Sequence, residues 1–385
     1  MFTTERITSL LSRNRLGVLL LCAVCMGYSS CGHTQAAAPI PVSTVMQAVR
    51  EYGRGHQPVP PAPARVSTTQ VSPAADAPYD SDGSYQSHIA AILAQDEFAQ
   101  LEKEAQQVRT TKVRLTGGVW KLFGFYESVT KPPSGTQASD SDWDEHFATI
   151  KKWISAFPDS ATARIALADS YVNYAWATRG SGYSDTVSES GWDLFGKHVE
   201  LGKSTLLGAA RLKEKCPYWY ESMQKVALAQ GWHKQQAREL LDEAAAFEPT
   251  YYHYYREYAN FLLPKWYGEE GNTQAFAEEV SARLGGPNGS IVYFEIASLL
   301  ACQCDAERDS LTGMSWPRVK QGYADLQRLY GTSNLKMNRF AYMSFVADDK
   351  SSAHYTFALL GTSWNHVVWR SAENFESAKV WASTP

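Results

Sequence analysis

Apolar residues recur at helical spacing along most of the chain, and prolines interrupt the pattern at matching places. Two segments share a spacing in which three residues step by 4 and then 3 positions, before a proline 5 positions later: Ala237, Leu241, Ala244 and Pro249, and His146, Ile150, Trp153 and Pro158. Residues three or four positions apart share one face of a helix, and proline ends a helix because it lacks a backbone N–H. The pattern therefore predicts an all-α chain of short amphipathic helices.

The helix that follows each proline carries a second matched pair of positions. A large residue and an alanine recur 9 and 10 positions after three prolines: Leu167-Ala168 after Pro158, Val226-Ala227 after Pro217, and Tyr258-Ala259 after Pro249. These residues resemble the tetratricopeptide repeat, a helix hairpin in which small residues allow close helix contact. The resemblance implies a helix-hairpin solenoid with degenerate repeats, because only a weak unit fits between Pro158 and Pro217.

A second resemblance rests on ordered stretches of sequence rather than on spacing. The stretches are GVWKLFGFY at 118–126, ARIALADSYVNYAWATRGSGY at 163–183, QGW at 230–232, LLPKWYG at 262–268 and SWPRV at 315–319. Together they resemble the bacterial family known as domain of unknown function 4034, over roughly residues 98–381. The family implies no established activity and no catalytic residues.

The first 31 residues have the features of a secretory signal. Three arginines precede an apolar run at 16–26 that is too short to span a membrane. The small residues before Cys31 resemble a bacterial lipoprotein box, which predicts lipidation of Cys31. Ordinary cleavage near residues 34–37 fits the sequence equally well. In both cases we expect an exported protein in the periplasm or cell envelope.

The composition divides the remaining chain into three parts. Residues 32–84 are rich in proline, which predicts a disordered tether. Residues 85–142 predict one amphipathic helix, beginning near Ser87, and a glycine-rich connector. Residues 143–385 predict the tetratricopeptide-like helical domain.

The charge of the chain is nearly balanced. It has 36 Lys and Arg residues and 40 Asp and Glu residues, for a net charge of -4. This balance argues against a nucleic-acid partner and against electrostatic binding to an anionic membrane. A lipid on Cys31 would then be the membrane attachment.

No motif predicts catalysis, a cofactor or a bound metal, which favours a binding protein over an enzyme. Asp140, Asp142 and Asp144 resemble the start of a calcium loop, but Glu145 and Lys151 occupy the positions where such a loop needs Gly and Glu. The three aspartates therefore predict a helix N-terminus. A catalytic site assembled from distant residues stays open.

Cysteines and aromatic rings each leave two interpretations open. Outside the export segment, Cys216, Cys302 and Cys304 predict buried thiols or one structural disulfide, and the alternative is a redox or metal role, for which no fourth ligand is in view. One set of rings shares a helical stripe and predicts core packing: Tyr251, Tyr254, Tyr258 and Phe261. A second set predicts either sealing of the repeats or a platform for sugar or peptide: Trp232, Tyr252, Trp266 and Tyr267.

Polar residues on the first helix of each predicted hairpin mark a candidate binding surface. First helices line the concave side of such repeats, and counting from each proline places seven polar residues there: Asp169, Asn173, Glu221, Gln224, His253, Arg256 and Asn260. These groups suit amide or carboxylate recognition, which predicts a scaffold that binds a protein or peptide partner in its groove. Two alternatives remain. The residues are merely the solvated faces of helices, or inner carboxylates serve as acid and base in an enzyme acting on envelope glycan.

The predicted lipidation of Cys31 can be tested by fractionation. If Cys31 carries the anchor, Cys31→Ala should move the protein from the membrane fraction to the soluble envelope fraction, as followed by immunoblotting. Cys25→Ala, within the apolar run, is the control and should leave the distribution unchanged. An unaltered distribution of the Cys31 variant would favour cleavage near residues 34–37 instead.

Overall fold

The part of the chain that the structure describes is helical. A computed structural model describes residues 39–58, 83–180, 186–303 and 311–384. Within these ranges it contains seventeen α-helices and no strand, which confirms the all-α prediction. No helix in the same ranges is long and apolar enough to cross a membrane.

Four helices precede the segment in which repeats are predicted: α1 (Val42–Tyr52), α2 (Gly83–Ala94), α3 (Phe98–Thr111) and α4 (Lys121–Val129). In the glycine-rich connector, a single antiparallel bridge pairs Arg114 with Trp120. After a 3₁₀ turn at Gly135–Gln137, the remaining described helices are α5 (Asp140–Ala156), α6 (Ala161–Arg179), α7 (Glu189–Ala210), α8 (Pro217–Gln230), α9 (Lys234–Phe247), α10 (His253–Phe261), α11 (Asn272–Leu284), α12 (Gly286–Gln303), α13 (Trp316–Tyr330), α14 (Asn334–Val346), α15 (Lys350–Leu360), α16 (His366–Trp369) and α17 (Ala372–Ser383).

From α6 onward the helices pack in an alternating order. Helices α6, α8, α10, α12 and α14 contact one another in turn, and we call this set the central row. Each of α7, α9, α11, α13 and α15 packs against the member of the row that precedes it. Helix α4 packs against both α2 and α8, which brings the segment before α5 next to the row.

Caps and prolines determine where several of these helices begin and end. At the start of α5, the Ser139 hydroxyl accepts a hydrogen bond from the Asp142 N–H, and the Asp142 carboxylate accepts one from the Ser139 N–H. This capping box confirms the helix N-terminus predicted at the aspartates. Pro217 is the first residue of α8, where its missing N–H would have had no helical partner. Helix α9 ends two residues before Pro249.

One hydrophobic cluster joins α1 through α14, and a smaller one joins α14 to α17. The positions predicted from the repeat spacing are buried: Ala237, Leu241, Ala244, His146, Ile150 and Trp153. The rings of the predicted core stripe are buried as well: Tyr251, Tyr254, Tyr258 and Phe261. The described residues from Ile40 onward belong to one compact unit, so the predicted boundary at residue 142 does not divide them.

Part of the predicted tether is wrong, because residues 42–52 form α1. Val45, Met46, Val49 and Tyr52 lie on one face of this helix and are at most 2% exposed, packed against α7 and α9. The proline-rich surroundings hide this short apolar pattern. Residues 32–38 and 59–82 of the predicted tether, and the signal segment with Cys31, lie outside the described residues.

The single helix predicted to begin near Ser87 is two helices. Helix α2 ends at Ala94 and α3 begins at Phe98, and between them Asp96 has a φ of 54°, which a continuous right-handed helix cannot contain. The sequence signal for this break is the five-residue step from Leu93 to Phe98. Neighbouring buried positions within the two helices are never more than four residues apart.

Tyr52 offers a test of how much α1 contributes to stability. Its buried hydroxyl accepts a hydrogen bond from the Cys216 N–H at 2.8 Å, and its ring stacks on Trp219 with centroids 4.1 Å apart. Tyr52→Phe leaves that N–H without an acceptor, so the free energy of unfolding should fall by about 1–3 kcal/mol. Urea denaturation measures it. The control Tyr355→Phe alters a side chain that is 66% exposed, and equal stability of the two variants would contradict the prediction.

Candidate functional site

A pocket of about 350 Å³ opens where α4 meets the central row, and we call it the charged pocket. This volume is typical of small-ligand sites. Among the described residues, nine charged side chains line it: Glu127, Lys131, Glu221, Lys225, Arg256, Glu257, Glu295, Lys336 and Arg339. Four of the seven predicted binding residues are also in its wall: Asn173, Glu221, His253 and Arg256.

Asp169, a fifth predicted residue, lies behind this wall and is fully buried on α6. Its carboxylate accepts hydrogen bonds from the Lys225 ammonium at 3.1 and 3.2 Å and from the Tyr218 hydroxyl at 2.9 Å. The Asn173 amide donates a fourth bond, at 3.3 Å. Burial alone would lower the pKa of Lys225, but attraction to Asp169 and other carboxylates raises it above its ordinary value. Lys225 is therefore charged, and its ammonium group is already paired with a carboxylate of the protein.

Glu221 lies one helical turn before Lys225 on α8 and is 1% exposed. Its carboxyl group accepts a hydrogen bond from the Tyr251 hydroxyl at 2.6 Å, and its Oε1 lies 4.0 Å from Lys225 Nζ. Burial raises the pKa of Glu221 well above its ordinary value, although Lys225 opposes the shift. Glu221 therefore holds a proton more readily than a glutamate in water.

A second cluster of charged side chains joins three neighbouring helices of the central row. Lys336 Nζ on α14 lies 2.7 Å from Glu295 Oε1 on α12, and both side chains are at least 90% buried. From α10, Arg256 donates to the Glu295 backbone carbonyl and to the Ser298 hydroxyl, each at 3.0 Å. These cations are thus held by groups of the protein.

Glu257 and His253 differ from the other charged and polar groups of the pocket. No hydrogen bond or ion pair joins either side chain to another residue in the described ranges. Burial raises the pKa of Glu257, opposed by Lys225, and burial with nearby cations such as Lys336 lowers the pKa of His253 well below its usual value. The neutral His253 ring stacks on Phe123 with centroids 3.9 Å apart, which fixes its orientation. The pocket therefore presents a carboxyl group and an imidazole whose hydrogen-bonding capacity the protein does not use.

The last two predicted binding residues do not line the charged pocket. Gln224 is buried on α8, and its side-chain amide donates to the Tyr254 carbonyl at 3.1 Å. Asn260 is half-buried near the end of α10. The predicted surface thus contains residues in the pocket wall, one buried behind the wall and two elsewhere.

The sequence patterns do not single out Lys225 and Glu257, although a signal for both exists. Lys225 follows Glu221 by four positions, and Glu257 follows His253 by four. Residues i and i+4 lie on the same face of a helix. Lys225 and Glu257 could therefore have been predicted as the residues one helical turn after Glu221 and His253. Glu127 lies on α4, outside the repeats, and no periodicity points to it.

The interpretations of cysteines and rings are resolved in part. Cys216 is a buried thiol, and the Tyr126 hydroxyl lies 3.4 Å from its sulfur. The side chains of Cys302 and Cys304 lie outside the described part.

Of the rings proposed as a platform, Trp232 and Tyr252 are buried and Trp266 is partly buried, whereas Tyr267 is 41% exposed. Of these four rings only Tyr267 is exposed, which favours packing of the repeats over a ligand platform.

Neither a search for metal-ligand groups nor a comparison with known proteins assigns a function to the chain. No group of three or more His, Cys, Asp or Glu side chains in the described ranges could hold a metal ion. No family model, curated protein or solved structure matches the chain. The resemblance to the family of domain of unknown function 4034 stays a prediction from the sequence.

Glu257→Gln should stabilise the protein at neutral pH. A raised pKa means that folding favours the protonated carboxyl group, so stability is lost as the pH rises through the pKa of the folded state. Glutamine keeps the shape without the charge, so the variant's Tm at pH 7 should exceed that of the wild type by about 2 °C. The difference should vanish below about pH 4, where glutamate is protonated in the unfolded chain too.

Differential scanning calorimetry across this pH range provides the measurement. Glu270→Gln removes the same charge from an exposed position and should leave Tm unchanged. A Glu257→Gln variant that melts below the wild type at pH 7 would show that the ionised carboxylate stabilises the fold, contrary to this prediction.

Proposed function

We propose that the chain is an exported helical-repeat scaffold that binds a peptide or protein partner through the charged pocket. The central row, with a flanking helix for each of its members, supports a tetratricopeptide-like solenoid, because such repeats place one helix of every hairpin along a shared binding face. The N-terminal sequence supports a location in the periplasm or cell envelope, with or without a lipid on Cys31.

The single observation that carries the binding proposal is the unused hydrogen-bonding capacity of Glu257 and His253. Lys225 and Lys336 already pair with carboxylates of the protein. A ligand anion would have to compete with those carboxylates, whereas a hydrogen-bond donor meets no competing donor from the described residues at Glu257 or His253, and Glu257 supplies the negative charge that offsets the nearby cations. An ammonium group carries three donors and a positive charge. The amino terminus of a peptide is therefore the group that fits best.

The burial of Glu257 makes this recognition selective for a charged amine. Its raised pKa reflects an ionised carboxylate that is poorly solvated, and an ammonium at hydrogen-bond distance would stabilise that ionised form. Binding of an amine is therefore coupled to loss of the Glu257 proton. Affinity should rise with pH until the amine of the ligand itself begins to deprotonate.

A second candidate function is an enzyme that acts on envelope glycan. Two carboxyl groups with raised pKa values, Glu221 and Glu257, line one pocket, and a carboxyl group of this kind can act as a general acid. Such an enzyme also needs an ionised carboxylate that is available to substrate or water. Asp169 and Glu295 are each bonded to a lysine, which favours the binding role.

Binding of alaninamide compared with N-acetylalaninamide tests amine recognition. Ligand-observed NMR titration should show saturable binding of the free amine. The acetylated compound should bind with an affinity lower by a factor of about ten or more, because acetylation removes the charge. Glu257→Gln should weaken alaninamide binding by a similar factor, and Glu270→Gln is the charge-matched control. Wild-type affinity should be lower at about pH 5 than at pH 7, because more Glu257 is protonated.

Equal binding of the two ligands, or unchanged binding by Glu257→Gln, would contradict amine recognition. If the wild type instead released reducing sugar from purified cell-wall glycan, and Glu257→Gln did not, the enzyme would become the better account.

A further inference from the structure

A second cavity, of about 620 Å³, adjoins the charged pocket. It is bounded by α2, by the segment that follows α4, and by α5. Glu127 and Lys131 line both cavities, and their carboxylate and ammonium form an ion pair at 2.7 Å. The two cavities therefore meet at this ion pair.

The second cavity has more apolar walls than the charged pocket. Leu93 and Ala94 of α2 contribute to one side, and Pro132 and Pro133 to another. The wall also carries an unused donor, because the Gln86 side-chain amide nitrogen is buried and bonds no residue in the described ranges. A ligand that suits this cavity has aliphatic side chains and a carbonyl oxygen.

We propose that the two cavities form one extended peptide site. The amino terminus lies at Glu257 in the charged pocket, the chain passes the Glu127–Lys131 pair, and the next aliphatic side chains occupy the second cavity. This inference rests on the proposed function, which supplies the position of the amino group. A later peptide carbonyl accepts from Gln86.

The donor on Gln86 distinguishes a peptide from a simple alkyl amine. An alkyl amine would supply the ammonium for Glu257 and an aliphatic chain for the apolar walls. It has no carbonyl, so the Gln86 donor, which is already buried and unpaired in the described ranges, would stay without an acceptor, whereas a peptide carbonyl supplies one. The partner class that uses the whole site is thus a peptide with a free amino terminus followed by aliphatic residues.

A ligand series of increasing length tests the extended site on the intact protein. The ligands are alaninamide, the amides of alanyl-leucine and alanyl-leucyl-leucine, and hexylamine, titrated by NMR or calorimetry. Once the peptide reaches the second cavity, an added leucine should strengthen binding about tenfold, the effect of burying most of an aliphatic side chain. Hexylamine should bind more weakly than the longest peptide.

Bulky substitutions on α2 locate the added affinity. Ala90 lines the second cavity, whereas its neighbour Ala91 is exposed and does not. Ala90→Trp should abolish the gain from leucine, and Ala91→Trp should retain it. Ala94→Trp fills the same cavity from an exposed position, which keeps the test valid if Ala90→Trp fails to fold.

The outcomes separate this inference from the proposed function. If alaninamide binds in a Glu257-dependent way but leucine adds no affinity, or Ala94→Trp keeps the gain, the extended site is overturned and amine recognition stands. If hexylamine equals the longest peptide, the carbonyl contact is overturned. If alaninamide does not bind or ignores Glu257→Gln, the proposed function itself fails.

Discussion

The buried ion pair between Asp169 and Lys225 sets the electrostatic conditions of the charged pocket. Removing a carboxylate from water is unfavourable unless a counter-charge and hydrogen bonds replace its hydration. Asp169 has all of these, from an ammonium and a hydroxyl on α8 and an amide on its own helix. Lys225 also attracts Glu221 and Glu257 and so limits how far their pKa values rise. Loss of either partner would therefore alter the neighbouring carboxyl groups as well as the contact between α6 and α8.

Packing of the helices that form the charged pocket holds its wall residues in place. Each wall residue on α8, α10, α12 and α14 projects from a helix that is packed on both neighbouring members of the row or on its own flanking helix. Ion pairs and hydrogen bonds then join successive helices, as in the contacts of Arg256 and Lys336 with Glu295. Groups held on packed helices keep their mutual distances better than groups on loops.

Helical spacing predicted the core well and the site in part. Ile150, Trp153 and Leu241 are buried where the repeat spacing placed them, because apolar periodicity records burial directly. Polar periodicity does not record what a polar group faces. Asp169 was predicted to face a ligand, yet it faces Lys225 of the next helix, and the spacing of one helix cannot reveal a charge on another. Glu127 comes from outside the repeats, so its position in the pocket depends on how α4 packs against α8.

The contact between α1 and α8 also affects when the apolar face of α1 is covered during folding. Tyr52 and Cys216 are 164 residues apart, yet the hydroxyl of one satisfies the backbone N–H of the other. Contacts between positions so distant in sequence require closure of a long loop, which is slow compared with formation of local hairpins. Since chains are synthesised from the N-terminus, α1 is complete long before its partners on α7, α8 and α9 exist. The apolar face of α1 therefore stays without its native partners until α9, which ends at Phe247, has been synthesised, and α10 to α17 follow later still.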